Sequence, residues 1–260
     1  MIQNIEVILG PAEFPALASR DLSQTTCVVF DVLRATSSML TALHNGAEEI
    51  IPVIEIAEAL AIKRQRPEVL LAGERHGLRI RKELTRSVDF DFGNSPRDFT
   101  PEKVAGRTIA WTTTNGTRAL RACAQAEMIL LGALVNLRAV TDVLDQLRPK
   151  NLLLVCAGTF EDAAFEDLFA AGTLIETLRN LNPAGDLSDS AQLVWHACRQ
   201  VGENKEALIA SSLNARRLCA NPDLAADVEI CLRRDTIQLN AALMNDGSVR
   251  SLRGFGAKLA

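Results

Sequence analysis

Short apolar runs and amphipathic segments alternate along most of the chain. The apolar runs have the length and continuity of strands that are buried on both faces of a sheet. They cover residues 5–9, 27–30, 49–53, 69–72, 108–112, 128–131 and 151–155. The segments between them have helical character and cover residues 35–45, 55–65, 117–126, 137–147 and 165–178. This alternation predicts an α/β fold whose largely parallel or mixed sheet is covered by helices on both faces.

Less regular segments fill the rest of the chain. Residues 78–101 are polar and rich in turn formers, which predicts a long, ordered and functional loop. Residues 188–201 and 205–212 are predicted as helices. Residues 226–231 and 249–252 are predicted as short strands.

Composition narrows the functional classes. Hydrophobic residues make up 48% of the chain, and no linker-like stretch divides it, so we expect one domain over residues 1–260. A net charge of −4 without a long basic run argues against nucleic acid or an anionic membrane as a partner. The chain shows no signal-peptide pattern, and no apolar run approaches the roughly 20 residues of a membrane span. Six scattered cysteines without a C-x-x-C pair predict mostly buried free thiols, and together these features predict a cytoplasmic protein.

Polar residues that suit a phosphate and a metal ion follow three of the predicted strands. Strand ends that lead into helix N-termini favour bound anions, so we expect these loops to meet at one edge of the sheet. Asp31 follows the run at 27–30, where a buried carboxylate needs a cation such as Mg²⁺ or several hydrogen bonds. Arg34 could bind an oxyanion through two parallel hydrogen bonds. Alternatively, Asp31 only caps the next helix and pairs with Arg34.

The other loops leave similar alternatives open. Residues 112–118 (TTTNGTR) combine hydroxyls, N–H groups and a glycine, which predicts either an oxyanion cradle or an ordinary threonine N-cap. Glu166 and Asp167 either ligate a metal or only complement the dipole of their helix. Glu74 and Arg75 either serve a multiply anionic ligand or belong to a solvated loop.

Five motifs then occur in a fixed order. They are VFDVLRATS (29–37), GER-x-G (73–77), DFGNSP (91–96), TTTNGTRA (112–119) and CAG…ED-x-x-AAG (156–172). On these motifs the chain resembles the 2-phosphosulfolactate phosphatase family from about residue 28 to 178, and more weakly at 227–231. The resemblance implies a three-layer α/β/α sandwich with a mixed, largely parallel sheet. It also implies a Mg²⁺-dependent phosphatase that converts 2-phospho-3-sulfolactate into 3-sulfolactate and phosphate, as in coenzyme M biosynthesis.

The resemblance also supplies a set of site residues. The implied catalytic residues are Asp31, Arg34, Glu74, Arg75, Cys156, Glu166 and Asp167. The implied substrate-binding residues are Arg34, Thr36, Arg75, Asn94, Ser95, Thr114, Asn115, Gly116 and Thr117. The metal ligands would be drawn from Asp31, Glu166 and Asp167, the partner is a small anionic phosphoester, and a homodimer is left open.

These residues suggest a mechanism. We expect metal-activated water to attack phosphorus in line, with a carboxylate as general base and with Arg34 and Arg75 holding the oxyanions. A phosphothiol on Cys156 is disfavoured because the C-x5-R loop of cysteine phosphatases is absent. Two alternatives stay open: a Mg²⁺ phosphatase for another small phosphorylated hydroxy acid, and a non-catalytic anion-binding protein on the same fold.

Overall fold

Eleven strands form one mixed sheet in the computed structural model, which describes residues 2–181 and 185–252. The strands are β1 (Asn4–Ile8), β2 (Thr25–Phe30), β3 (Glu49–Pro52), β4 (Leu70–Arg75), β5 (Leu78–Arg79), β6 (Thr108–Thr112), β7 (Met128–Gly132), β8 (Asn151–Cys156), β9 (Asp186–Leu187), β10 (Ala241–Leu243) and β11 (Val249–Ser251). The helices are α1 (Phe14–Leu17), α2 (Ala35–His44), α3 (Ile56–Gln65), α4 (Lys82–Thr85), α5 (Pro101–Val104), α6 (Gly116–Ala122), α7 (Leu137–Leu147), α8 (Phe165–Leu181), α9 (Asp189–Val201), α10 (Lys205–Ser211), α11 (Leu213–Cys219) and α12 (Pro222–Cys231). The predicted α/β class is confirmed.

Two groups of parallel strands make up the sheet, and a hairpin joins them. One group contains β3, β4 and β6, and the other contains β1, β2, β7, β8 and β9. The hairpin β10–β11 lies between β7 and β3 and makes three successive antiparallel pairings. The two groups therefore run in opposite directions. The loops after β2 and β8 therefore follow strands of one direction, whereas the loop after β6 follows a strand of the other direction.

The loops of both groups nevertheless meet at one cavity. Five pairings separate β2 from β6 in the strand order β5-β4-β6-β3-β11-β10-β7-β2-β8-β1-β9. Adjacent strands rotate by roughly 20–25°, so the accumulated rotation is about 100–125°. A rotation of this size would offset much of the reversal in strand direction. Residues that follow β2, β6 and β8 line the same cavity.

Alternate side chains of the strands enter cores on opposite faces of the sheet. On β2, Val28 and Phe30 pack in a core with α7, α8 and α9, whereas Cys27 and Val29 pack in a core with α2 and α6. A third cluster lies between α3 and the β4–β6 end of the sheet. Burial on both faces explains why the strands are apolar throughout. The three-layer α/β/α arrangement is therefore confirmed.

Residues 226–231 belong to α12, so the strand predicted there is wrong. The side chain of Asn221 accepts a hydrogen bond from the backbone N–H of Asp223 at 3.0 Å. Pro222 occupies the first helical position, and both features favour the start of a helix. Val228 and Cys231 then lie three positions apart and are buried on one face of the helix.

Other predictions of local structure agree with the structure. The strand predicted at 249–252 is confirmed as β11. The segment predicted as a long loop holds only the short elements β5 and α4 and single turns of 3₁₀-helix and α-helix. All six cysteines are free and five of them are buried. Within the described ranges, no helix is both long and apolar enough to cross a membrane.

Candidate active site

A cavity of about 430 Å³ opens where the loops after β2, β6 and β8 meet the end of β4. Helix α11 and the start of α12 close its remaining side. Six of the predicted site residues line it: Asp31, Arg34, Glu74, Asn94, Thr114 and Asn115. Five of these side chains belong to buried residues, so the polar groups form an inner wall rather than a solvated rim.

Asp31 occupies the turn between β2 and α2. Its Oδ1 accepts a hydrogen bond from the backbone N–H of Ala35 at 2.9 Å. Thr36 does not line the cavity but holds the backbone of Asp31, because its hydroxyl bridges the N–H and the carbonyl of that residue at 3.0 and 2.9 Å. Asp31 does cap α2, as the simpler alternative predicts, but it forms no ion pair with Arg34.

The second oxygen of Asp31 lies against Gly116. A Cβ atom at that position would lie 2.7 Å from Oδ2 of Asp31 and 2.8 Å from Cβ of Ala35. Any larger residue would therefore displace the carboxylate. Burial, followed by the charges of Glu74 and Glu166, raises the pKa of Asp31 from 3.8 to about 7, against the opposing hydrogen bond from Ala35.

Glu74 joins the end of β4 to the loop after β6. Its Oε1 accepts hydrogen bonds from the N–H and the hydroxyl of Thr114 at 2.8 and 2.9 Å. Its Oε2 accepts one from the N–H of Gly77 at 2.7 Å. Side chains alternate along a strand, so Arg75 points away from the cavity and donates to Thr112 and to the carbonyl of Ile54.

Two buried amide oxygens on the cavity wall have no hydrogen-bond partner. Asn115 donates through its Nδ2 to the carbonyls of Ala157 and Phe160, both at 2.9 Å, which ties the loop after β6 to the loop after β8. Its Oδ1 is unpaired, and so is Oδ1 of Asn94. An unpaired buried acceptor costs about 1–3 kcal/mol, so a ligand or cation at this wall would relieve that cost.

Arg34 is held in place by Asp227 of α12. The guanidinium donates to Oδ2 of Asp227 at 2.6 Å and to the carbonyl of Gly77 at 2.6 Å. The other oxygen of Asp227 accepts from Ser95 and Arg97, each at 2.7 Å. Arg34 and Asp227 are both buried, so this pair keeps a cation on the cavity wall with its charge largely balanced.

Glu166 and Asp167 lie behind the cavity wall, in the first turn of α8. Asp167 accepts from the N–H of Val32 at 2.7 Å and from that of Gly158 at 3.0 Å. Glu166 accepts from Ser212 and from the cavity residue Asn214, at 2.6 and 2.9 Å. Burial, followed by the charges of Glu166 and Asp31, raises the pKa of Asp167 well above its usual range.

Cys156 and Thr117 do not line the cavity. Burial raises the pKa of the Cys156 thiol well above its ordinary value, which keeps it in the non-nucleophilic thiol form. Thr117 is bonded to Thr113 through both its N–H and its hydroxyl. The Thr117 bonds support the first turn of α6, and Cys156 belongs to the apolar core with α7, α8 and α9.

The inner wall suits a hard cation such as Mg²⁺. No group of three or more His, Cys, Asp or Glu side chains within residues 2–181 and 185–252 is arranged as a metal site. Asp31 and the two unpaired amide oxygens are nonetheless the oxygen donors that Mg²⁺ prefers. Of the three predicted ligands only Asp31 lines the cavity. Buried carboxyl groups outnumber the buried cations around this wall, since Arg34 is already paired with Asp227, so a bound cation would stabilise their ionised forms.

Sequence reasoning missed the cavity residues of α11, notably Asn214 and Arg217. No motif covers this helix, and its charged residues look like those of a solvated surface. Asp227 fell only within the weak final part of the resemblance. The signal that could have identified Asp227 is its position within the apolar run at 226–231, because a charged side chain is costly to bury unless it is paired.

The three-layer fold and the polar cavity define an α/β protein with a buried polar site for a small ligand. The family model described as 2-phosphosulpholactate phosphatase matches residues 13–245. A protein of Caldanaerobacter subterraneus subsp. tengcongensis named "Probable 2-phosphosulfolactate phosphatase" is 37% identical over 246 residues, which cover 93% of this chain and 97% of that protein. Proteins with the same name from Thermotoga petrophila and Clostridium novyi are 37% and 33% identical, over 85% and 91% of this chain and 89% and 95% of their own lengths. The chain belongs to the 2-phosphosulfolactate phosphatase family.

Proposed function

We propose that this protein hydrolyses 2-phospho-3-sulfolactate to 3-sulfolactate and phosphate, with Mg²⁺ as its cofactor. Family membership supports the reaction. The observation that carries the proposal for this chain is the buried polar wall on which Asp31, Glu74, Asn115 and Arg34 meet in one cavity. Such a wall can bind a phosphate ester and activate water beside it.

Each wall residue then has a role in the proposed reaction. Asp31, with the unpaired oxygens of Asn94 and Asn115, would hold Mg²⁺, which when bound offsets charge on the phosphoryl oxygens and acidifies a bound water. Arg34 binds phosphate oxygens through the N–H groups that Asp227 and Gly77 leave unused. Its pairing with Asp227 fixes the direction of those groups.

Glu74 is the proposed general base. Three hydrogen bonds hold its carboxylate in a fixed position on the cavity wall, beside the space where a water molecule would attack. As the water oxygen attacks phosphorus, Glu74 takes a water proton while the bond between phosphorus and the C2 oxygen breaks. The leaving alkoxide takes a proton from solvent water and departs as the hydroxyl of 3-sulfolactate, and Glu74 returns its proton to solvent.

A substrate panel tests this proposal. Phosphate release is measured from 2-phospho-3-sulfolactate, 2-phospholactate and phosphoglycolate, with Mg²⁺ and with EDTA. We expect the sulfonated ester to have the highest kcat/KM and EDTA to abolish turnover. Preference for another ester would favour a phosphatase for a different hydroxy acid. No release from any ester would favour the non-catalytic anion-binding protein.

The setting of the reaction is part of the same proposal. Six free cysteines, five of them buried, suit a reducing compartment such as the cytoplasm. There the product would serve coenzyme M biosynthesis. The homodimer stays a prediction that light scattering coupled to size-exclusion chromatography decides.

A further inference from the structure

Arg217 is a cationic residue of the cavity without an acidic partner in the described parts of the chain. It belongs to α11, lines the cavity and is exposed. Its guanidinium carbon lies 5.0 Å from the centre of the Phe160 ring, a contact that orients the side chain but leaves its charge unbalanced. The other cavity arginine, Arg34, is buried and paired with Asp227.

The cavity therefore has two levels. The inner wall holds the buried groups Asp31, Glu74 and Arg34, which suit a phosphoryl group and its cation. The mouth holds the exposed residues Arg217 and Phe160, with the ring of His76 at 6.1 Å from that of Phe160. A ligand that spans both levels needs a second anionic group that points outward.

We propose that Arg217 binds the sulfonate of the substrate at the cavity mouth and thereby sets the preference for sulfonated phosphoesters. This proposal rests on the function proposed above. In 2-phospho-3-sulfolactate the phosphate oxygen and the carboxylate carbon are both bonded directly to C2. The sulfonate sulfur is bonded to C3, one carbon further out. With the phosphate on the inner wall, the sulfonate is the group that extends furthest towards the mouth. A planar guanidinium matches its oxygens with two parallel hydrogen bonds.

The test compares Arg217→Ala and Arg217→Lys with the unchanged protein. Binding of 3-sulfolactate and of inorganic phosphate is measured by calorimetry, which requires no turnover. Loss of one charge-assisted contact should weaken 3-sulfolactate binding about 10- to 100-fold in Arg217→Ala, with partial rescue in Arg217→Lys. Phosphate, bound at the inner wall, should lose less than about threefold, as expected for a distant exposed charge.

Arg216→Ala supplies the matched control. This variant removes the same charge from the same helix, but Arg216 does not line the cavity and donates instead to the carbonyl of Ala210. We expect both ligands to bind it as they bind the unchanged protein. Equal weakening of both ligands in Arg217→Ala, or no weakening of either, would overturn the role of Arg217.

Kinetics then separate this proposal from the proposed function. In Arg217→Ala, kcat/KM should fall about 10- to 100-fold for 2-phospho-3-sulfolactate and little for 2-phospholactate, which lacks the sulfonate. An equal fall for both esters would contradict sulfonate recognition while leaving the phosphatase activity in place. An unchanged protein that hydrolyses neither ester would contradict the proposed function, and the calorimetry would still report on Arg217.

Discussion

Replacing Asp31 with asparagine should stabilise the metal-free protein at alkaline pH. The folded protein keeps the proton on Asp31 up to about pH 7, whereas the unfolded chain releases it near the ordinary value of 3.8. As the pH rises, the carboxyl group of Asp31 therefore ionises in the unfolded state before it ionises in the folded state. The free energy of unfolding of the wild-type protein falls as the pH rises between these two values. The asparagine side chain of the variant has no such proton to release, and its amide oxygen can still accept the hydrogen bond from Ala35.

The magnitude follows from the shift. A rise of about three pKa units corresponds to roughly 4 kcal/mol, at 1.36 kcal/mol per unit. About two of these units lie above pH 5, so the stability difference between Asp31→Asn and the wild type should change by roughly 3 kcal/mol between pH 5 and pH 8. The change should favour the variant at pH 8.

Urea denaturation in EDTA at pH 5, 6, 7 and 8 measures this difference. Asp142→Asn, which alters an exposed aspartate on α7, is the matched control for the loss of a carboxylate. A constant difference between Asp31→Asn and the wild type across this range would refute the reasoning, because the carboxyl would then ionise equally in both states.

The same variant tests the metal. A cation held by Asp31 stabilises the folded state by about 2.7 kcal/mol at one hundred times its dissociation constant. Mg²⁺ should therefore raise the urea midpoint of the wild type at pH 8 and leave that of Asp31→Asn unchanged. Phosphate release by the variant should fall at least about a hundredfold, the scale of losing one electrostatic stabiliser. Equal stabilisation of both proteins by Mg²⁺ would place the cation elsewhere.

Three further substitutions test residues that lie around the cavity wall but do not line the cavity. Gly116→Ala should lower kcat at least about tenfold, since its Cβ would lie 2.7 Å from Oδ2 of Asp31 and displace a group that must be positioned accurately; unchanged phosphate release would contradict this close fit. Asp227→Asn should destabilise the fold by about 3–5 kcal/mol in urea denaturation, because it leaves Arg34 buried without its counter-charge, and a loss below about 1 kcal/mol would show that water reaches this pair. Arg75→Ala should lower the free energy of unfolding by about 1–3 kcal/mol with little change in KM, because its guanidinium binds protein groups only; a large rise in KM would restore its predicted contact with substrate.

The pattern of hydrophobic and polar residues predicted those elements of the fold that depend mainly on residues close together in the sequence. Continuous apolar runs in the sequence located β2, β6 and β8, because strands that are buried on both faces of a sheet carry apolar side chains towards both layers of helices. The same pattern located Asp31, because a polar residue directly after a buried strand is costly unless it is satisfied or functional. Asn115 was located by the loop TTTNGTR that follows β6.

What the sequence left open depends on contacts between distant segments. Arg34 pairs with Asp227, 193 positions away, and no local spacing reveals such a partner. The strand alternation indicated parallel strands but could not show that β10 and β11 reverse one group relative to the other. Arg217 also escaped prediction, because a surface arginine and a ligand-binding arginine look alike until the walls of the cavity are in place.

The hairpin β10–β11 also constrains how this chain can fold as the ribosome makes it. It follows every other described strand in chain order, yet it alone connects β3 to β7. While translation is still upstream of the hairpin, both of those strands have an unsatisfied side that invites pairing with another nascent copy. Slow synthesis of the β10–β11 hairpin would thus raise the risk of aggregation. A separate peptide with the sequence of this hairpin should suppress that aggregation.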